Sequence, residues 1–269
     1  MLSKLLKYEF KASARIFAVV YLGIFGLCLS LGLYMLASAE VGEDYVSYHR
    51  DMVGTVLMMV TGLFLGAAVI ITTVVNLRRF YQGLYRDEGY LMHTLPVKPW
   101  QILASKLIPA VVWTGATMIV MGCSVMLTLT LSNEITPAHF FRALGELLQY
   151  MTEQHLWGTY LLVCVLGLAE LAATILQVYA AISLGQMISQ RRIAASVFIW
   201  FAMTTLQSFL AIILGGSLMS YAVDYVFVPY YERFTGTPSL LLMIGTSLVW
   251  CAVYWAVNQW VITRKLNLE

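Results

Sequence analysis

Charge is what this sequence has least of. Only 11% of its 269 residues are Asp, Glu, Lys or Arg, against 60% hydrophobic, and the mean hydropathy is +0.79. A soluble domain carries roughly 25% charged residues. The chain cannot cover a surface facing water, so the bilayer is its natural solvent. Also missing is any G-x-x-x-x-G-K-[ST] stretch, which excludes ATP hydrolysis through a Walker-type phosphate loop of its own. Cys28, Cys123, Cys164 and Cys251 stand singly, without metal-ligand spacing, and read as small packing residues. His49, His93, His139 and His155 fall in loops, with no H-E-x-x-H. No glutamate pair precedes an intramembrane histidine, and no Ser/His pair lies within the apolar runs, so nothing supports a membrane protease. No low-complexity linker divides the chain, which reads as a single transmembrane domain over residues 1–269.

What is present in quantity is long uncharged sequence. Runs without Asp, Glu, Lys or Arg cover Ile16–Ala39, Met52–Leu77, Leu107–Asn133, Gln154–Gln190 (interrupted by Glu170), Ile193–Val223 and Phe234–Thr263. Each exceeds the ~20 residues that cross the hydrocarbon as helix. Backbone groups in lipid need internal partners, so the spans are helices. The expected fold is all-α, a polytopic membrane protein with six spans at about 17–39, 53–77, 107–132, 156–186, 194–221 and 238–262. The first run is too long for the core of a cleavable signal peptide.

Net charge is only +2; its segregation is the informative part. Lys4, Lys7, Lys11, Arg15, Arg78, Arg79, Arg86, Lys98, Lys106, Arg191, Arg192, Arg264 and Lys265 fall on one side of the six-span topology. The other side has only Arg50, Arg142 and Arg233, with nine acidic residues. By the positive-inside rule both termini are cytoplasmic. Residues 2–17 place Lys4, Lys7, Lys11 and Arg15 on one helical face and Leu2, Leu6, Phe10, Ser13 and Phe17 on another, with the elbow itself expected over 1–16. This pattern predicts an amphipathic interfacial elbow helix. It serves either as a positive-inside anchor or also as a contact for a cytosolic partner. Outside, Thr136 and Pro137 suit the N-cap and first position of a further interfacial helix. The aromatic stretch SYAVDYVFVPYYERF suits a headgroup belt or a re-entrant turn.

Glu170 is the single ionisable Asp, Glu, Lys or Arg inside a span, with Thr174 and Gln177 following at helical spacing. Facing lipid would cost several kcal/mol, so the stripe should point to protein or water. It either lines a substrate or ion pathway or packs helices together. Thr114, Thr117, Ser124 and Thr128 in the third run, and Gly62 and Gly66 in the second, read as close-packing residues; the G-x-x-x-G pair also suits a dimer face.

The longest polar segment, RRFYQGLYRDEGYLMHTLPVKPWQILASKL, separates the second and third runs. Leu84, Leu91 and Leu95 recur at helical spacing, Pro96 ends that helix, and Pro99 suits the first position of the next. Trp100, Leu103, Leu107 and Ala110 form an apolar stripe running into the third span, with Pro109 marking its start. The segment RDEGYLMHTLPVKPWQILASKL resembles the cytoplasmic loop of six-helix ATP-binding-cassette export permeases of the ABC-2 type. Glu88, Gly89, Leu95, Pro96 and Lys106 carry the match. The opening LLKYEFKASARIF is also similar to such permeases, as is the whole topology. The short aromatic last outer loop departs from exporters that carry large extracellular domains.

That resemblance implies a mechanism. The chain would form a translocation pathway with a second permease copy or a related permease, in a bacterial plasma membrane. Two separate cytosolic ATPase subunits would bind ATP and Mg, so the chain itself is not expected to be an enzyme or to hold a cofactor, metal or nucleic acid. Residues 78–106 would be the coupling loop, with Arg86, Asp87, Glu88, Gly89, Leu91, Leu95, Pro96 and Lys98 contacting the ATPase. Membrane lipid is the remaining partner, and the cargo would be a peptide, antibiotic or lipid-like molecule. The competing readings are a proton-coupled secondary transporter using Glu170 and a membrane assembly component without transport.

Overall fold

The computed structural model describes residues 2–39, 47–85, 98–131, 137–188, 191–225 and 237–264. Among them the fold is all-helical, without strands. Seven helices follow one another: α1 (Leu2–Ala39), α2 (Ser47–Tyr85), α3 (Pro99–Leu131), α4 (Pro137–Glu153), α5 (Trp157–Gly185), α6 (Arg192–Tyr225) and α7 (Thr237–Arg264). All but α4 are long and apolar enough to cross a membrane, the six spans expected from the uncharged runs. Residues 2–16 form the first turns of α1 and continue into its span without a break. At about 1.5 Å per residue, α1 is about 57 Å long and extends well past a hydrocarbon layer of about 30 Å.

The chain divides into two compact units. The first holds Met1–Arg79 and Ile108–His155. Its core is a seam of α1, with Val20, Ile24 and Cys28 packed with Ala68 of α2, and Tyr21, Phe64, Leu65, Val120 and Met121 around them. Trp113 of α3 stacks on Phe17 at 4.6 Å between ring centroids, with Phe10 and Tyr21 tilted against the same indole. Side-chain hydrogen bonds supply the glue that hydrophobicity alone cannot, because lipid tails are as apolar as leucine. Thr117 meets Tyr21 at 3.1 Å and Thr72 at 3.2 Å, Asn76 donates to Thr114 at 3.1 Å, and Thr128 donates to the Cys28 carbonyl at 3.0 Å. Arg79 pairs with Glu9 at 3.2 Å. The hydroxyl residues of the third span therefore do pack between helices.

The G-x-x-x-G pair does not. Gly62 and Gly66 are exposed, and a Cβ on either would touch nothing within 4 Å. Close approaches fall at Gly23 and Gly32 instead, where a Cβ would lie 2.7 Å from Phe64 Cζ and 2.8 Å from Leu131 Cδ1. The cysteines also divide: Cys28 is buried, Cys251 intermediate, and Cys123 and Cys164 exposed, so the packing role holds for Cys28. Helix α4 starts at Pro137, and His155 beyond its end adopts φ 52°, the left-handed conformation in which many helices stop.

The second unit comprises Phe80–Leu107 and Leu156–Glu269. Helix α5 is its centre, packing on both α6 and α7. Helix α3 passes through Pro109 and remains one helix from Pro99 to Leu131.

Replacing Trp113 by Ala should destabilise the first unit by roughly 2 kcal/mol, below the cost for a fully buried ring. Trp113→Phe should retain most of that stability. Unfolding in mixed SDS micelles reads both.

Candidate functional site

Two places in the second unit gather the residues to which sequence reasoning pointed. The first is the packed region flanking residues 86–97. Phe80 and Leu84, in the last turns of α2, are both 0% exposed. Across the gap, α3 is buried on every face over five consecutive residues, Ile102 to Lys106. An all-round buried helix segment belongs to a core, not to a surface loop. Phe80 stacks on Tyr179 of α5, with centroids 3.8 Å apart and planes 5° from parallel. Such a pair contributes about 1 kcal/mol beyond its burial. Lys106 is only 5% exposed. Its aliphatic stem and Nζ occupy the space beside Gly83, where any Cβ would collide with them. Glycine at 83 is therefore what lets α2 accept the lysine so closely.

The start of α3 is fixed locally as well. The Lys98 carbonyl accepts from Gln101 N–H at 2.8 Å, while Gln101 Oε1 accepts from Lys98 N–H at 3.4 Å. This is half of a capping box, with Pro99 at the first helical position. Lys98 itself is exposed. Trp100, expected on the apolar stripe, is 43% exposed, while Leu103 and Ala110 are buried. The remaining proposed coupling residues, Arg86, Asp87, Glu88, Gly89, Leu91, Leu95 and Pro96, lie outside the described residues.

Below this region α5 and α7 are locked by Asn258, which is 0% exposed. Its Oδ1 accepts from Ser183 at 2.9 Å, and its Nδ2 donates to the Leu176 carbonyl at 3.1 Å and to the Tyr254 carbonyl at 2.8 Å. A buried side-chain amide satisfied at both ends fixes one register between two helices. Nothing in the sequence singled out Asn258; its position six residues before the charged tail residue Arg264 hid it beside an expected helix end.

The second place is the middle of α5. Glu170 lies thirteen residues after Trp157 and fifteen before Gly185, near the centre of a helix about 43 Å long. It does not share a surface with all of its stripe. Gln177 is 6% exposed and turns into the unit, donating to Thr204 of α6 at 3.0 Å. Glu170 and Thr174 are exposed. Thr174 donates back to the Glu170 carbonyl at 2.8 Å. Glu170 Oε1 accepts from the buried Ser247 hydroxyl of α7. Nearby, Cys251 Sγ contacts the Ala169 carbonyl at 3.4 Å, and Tyr254 donates to Gln207 at 3.0 Å. The carboxyl is thus held from one side and open on the other. Such a group can take a proton or contact a cation or a polar cargo group. Among the described residues no three His, Cys, Asp or Glu side chains gather to hold a metal.

Comparison with protein-family models, curated proteins and solved structures finds no match to this chain.

Asn258→Leu should cost about 1–2 kcal/mol, because Ser183 loses its partner in a buried site. Adding Ser183→Ala should cost little more, giving a coupling energy in a double-mutant cycle measured by SDS unfolding.

Proposed function

We propose that this chain is the membrane-spanning permease subunit of an ATP-driven exporter, a gate that takes its energy from separate cytosolic ATPase subunits. The observation that carries the reading is the anchoring of residues 86–97. A solvated connecting loop needs no buried flanks. Here both flanks, Phe80 with Leu84 and Ile102 through Lys106, are built into a packed core. Displacement of the polar segment between them would move helices rather than be absorbed by slack chain. The acidic and basic residues Arg86, Asp87 and Glu88 suit charge-assisted contacts with an ATPase. Their strength must differ between nucleotide states for energy to pass. The resemblance of RDEGYLMHTLPVKPWQILASKL to export permeases supports the same assignment, as does the clustering of basic residues on the side of this loop. Both termini are then cytoplasmic in a bacterial plasma membrane, and the pathway is completed by a second permease.

Charge reversal at Asp87 and Glu88 together should weaken co-purification of the ATPase subunit at least tenfold while the permease still inserts normally. Unchanged ATPase binding and unchanged transport would overturn the coupling assignment.

A second reading rests on the half-open Glu170 carboxyl, which suits a proton-coupled transporter. One ionisable side chain across six spans makes a sparse relay, so we place Glu170 on the cargo pathway of the ATP-driven gate. Glu170→Gln should reduce transport severalfold and leave assembly intact. Loss of folding instead would make the carboxyl a helix-packing group that acts through Ser247.

A further inference from the structure

The exposed side of the first half of α1 carries features that the exporter reading does not use. Lys4, Tyr8, Lys11 and Arg15 are all exposed and recur every three or four residues, so they form one stripe along the helix. The opposite side, with Ser13, Phe17 and Val20, is buried. Glu9 is the single acidic residue before Glu40. It belongs to the packed side, where it pairs with Arg79, its side chain 12% exposed. The stripe is therefore cationic, with no acidic residue of α1 on it. Tyr8, Lys11, Ala12, Arg15 and Ile16 border an open groove of about 440 Å³. On the same stripe, one and two turns further into the apolar sequence, stand Val19 and Leu22, 69% and 72% exposed.

We propose that this stripe is a binding site for an anionic phospholipid. The phosphate sits between Lys11 and Arg15, Tyr8 lies beside the headgroup, and one acyl chain runs along Val19 and Leu22. Positive-inside topology requires basic residues near a span but no arrangement among them. Here the order along one helix face is that of the lipid itself: cations and a tyrosine, then apolar side chains about 6 and 10 Å deeper. A guanidinium matches phosphate oxygens in fork geometry, and the lysine adds a point charge. Each cation at a membrane surface strengthens attraction to anionic lipid by roughly fivefold. Free phosphate would gain nothing from Val19 or Leu22, and an acidic soluble protein would not reach them. The site stands whether or not the chain is a permease.

The test uses the full-length chain in detergent micelles with spin-labelled phosphatidylglycerol or phosphatidylcholine at fixed ionic strength. The wild type should prefer phosphatidylglycerol, and Lys11→Gln with Arg15→Gln should lower that preference at least fivefold. The decisive variant is Ser3→Lys with Lys11→Gln. It keeps the net charge and moves one cation around the helix, because Ser3 is exposed off the stripe. It should behave like loss of a site residue. If it keeps the wild-type preference, diffuse charge explains the binding and the proposal fails. Millimolar inorganic phosphate should compete poorly; competition at the affinity of the lipid would mean a free-anion site instead. A double variant with unchanged lipid preference would also overturn the proposal. In that case loss of binding to an acidic protein would assign the stripe to such a partner.

Discussion

In hydrocarbon a hydrogen-bonding group has only protein for a partner, and this constraint orders the rest of the molecule. Helices satisfy their own backbones, so what remains to be arranged is the side chains. Lipid offers no hydrophobic reward for bringing two apolar helices together. Hydroxyls, amides and stacked rings must then set register. Both units use these devices. In the first, Thr117 of α3 joins Tyr21 of α1 and Thr72 of α2. In the second, Asn258 of α7 ties Ser183 and the Leu176 carbonyl of α5. Glu170 departs from the pattern, because its carboxyl accepts from Ser247 of α7 while the residue stays exposed on its other side.

The same constraint shapes the helix ends on either side of the polar segment. In sequence, residues 86–97 fall between two long helices, α2 and α3, which are buried around Phe80, Leu84 and Lys106. Burying Lys106 is costly unless its ammonium is accommodated. The narrow space beside Gly83 brings it against α2 at that end. The ring stack ties α2 to α5, and the lysine stem seats α3 against α2.

Much of the fold was legible in the residues because its cause is one-dimensional. Six uncharged runs are long enough to span, and six helices do so. The Thr114, Thr117 and Thr128 pattern pointed correctly to close packing because hydroxyls in lipid have few other uses. Partner choice was less legible, since it depends on distances between helices far apart in sequence. Phe80 and Tyr179 look like ordinary aromatics until α2 and α5 meet. Lys106 counted as a basic residue near a membrane surface and as part of the resemblance to export permeases, and neither reading places it in a core, where it lies. Gly62 and Gly66 matched a packing motif but face outward, because small residues permit close approach without compelling it. Glu170, Thr174 and Gln177 shared a helical stripe, yet Gln177 is buried and the other two are not. A stripe of residues at i, i+4 and i+7 is about 60° wide, enough to straddle the edge of a packed face.

The central claim is that residues 86–97 receive force from a nucleotide-driven partner. A photo-crosslinking amino acid at position 91, introduced in intact cells, tests it most directly. The account predicts a single major adduct with a cytosolic protein that carries a Walker ATP-binding loop, and a change in adduct yield when that protein is trapped with nucleotide. Labelling of position 91 from outside the cell, or adducts with no nucleotide-binding protein, would contradict it.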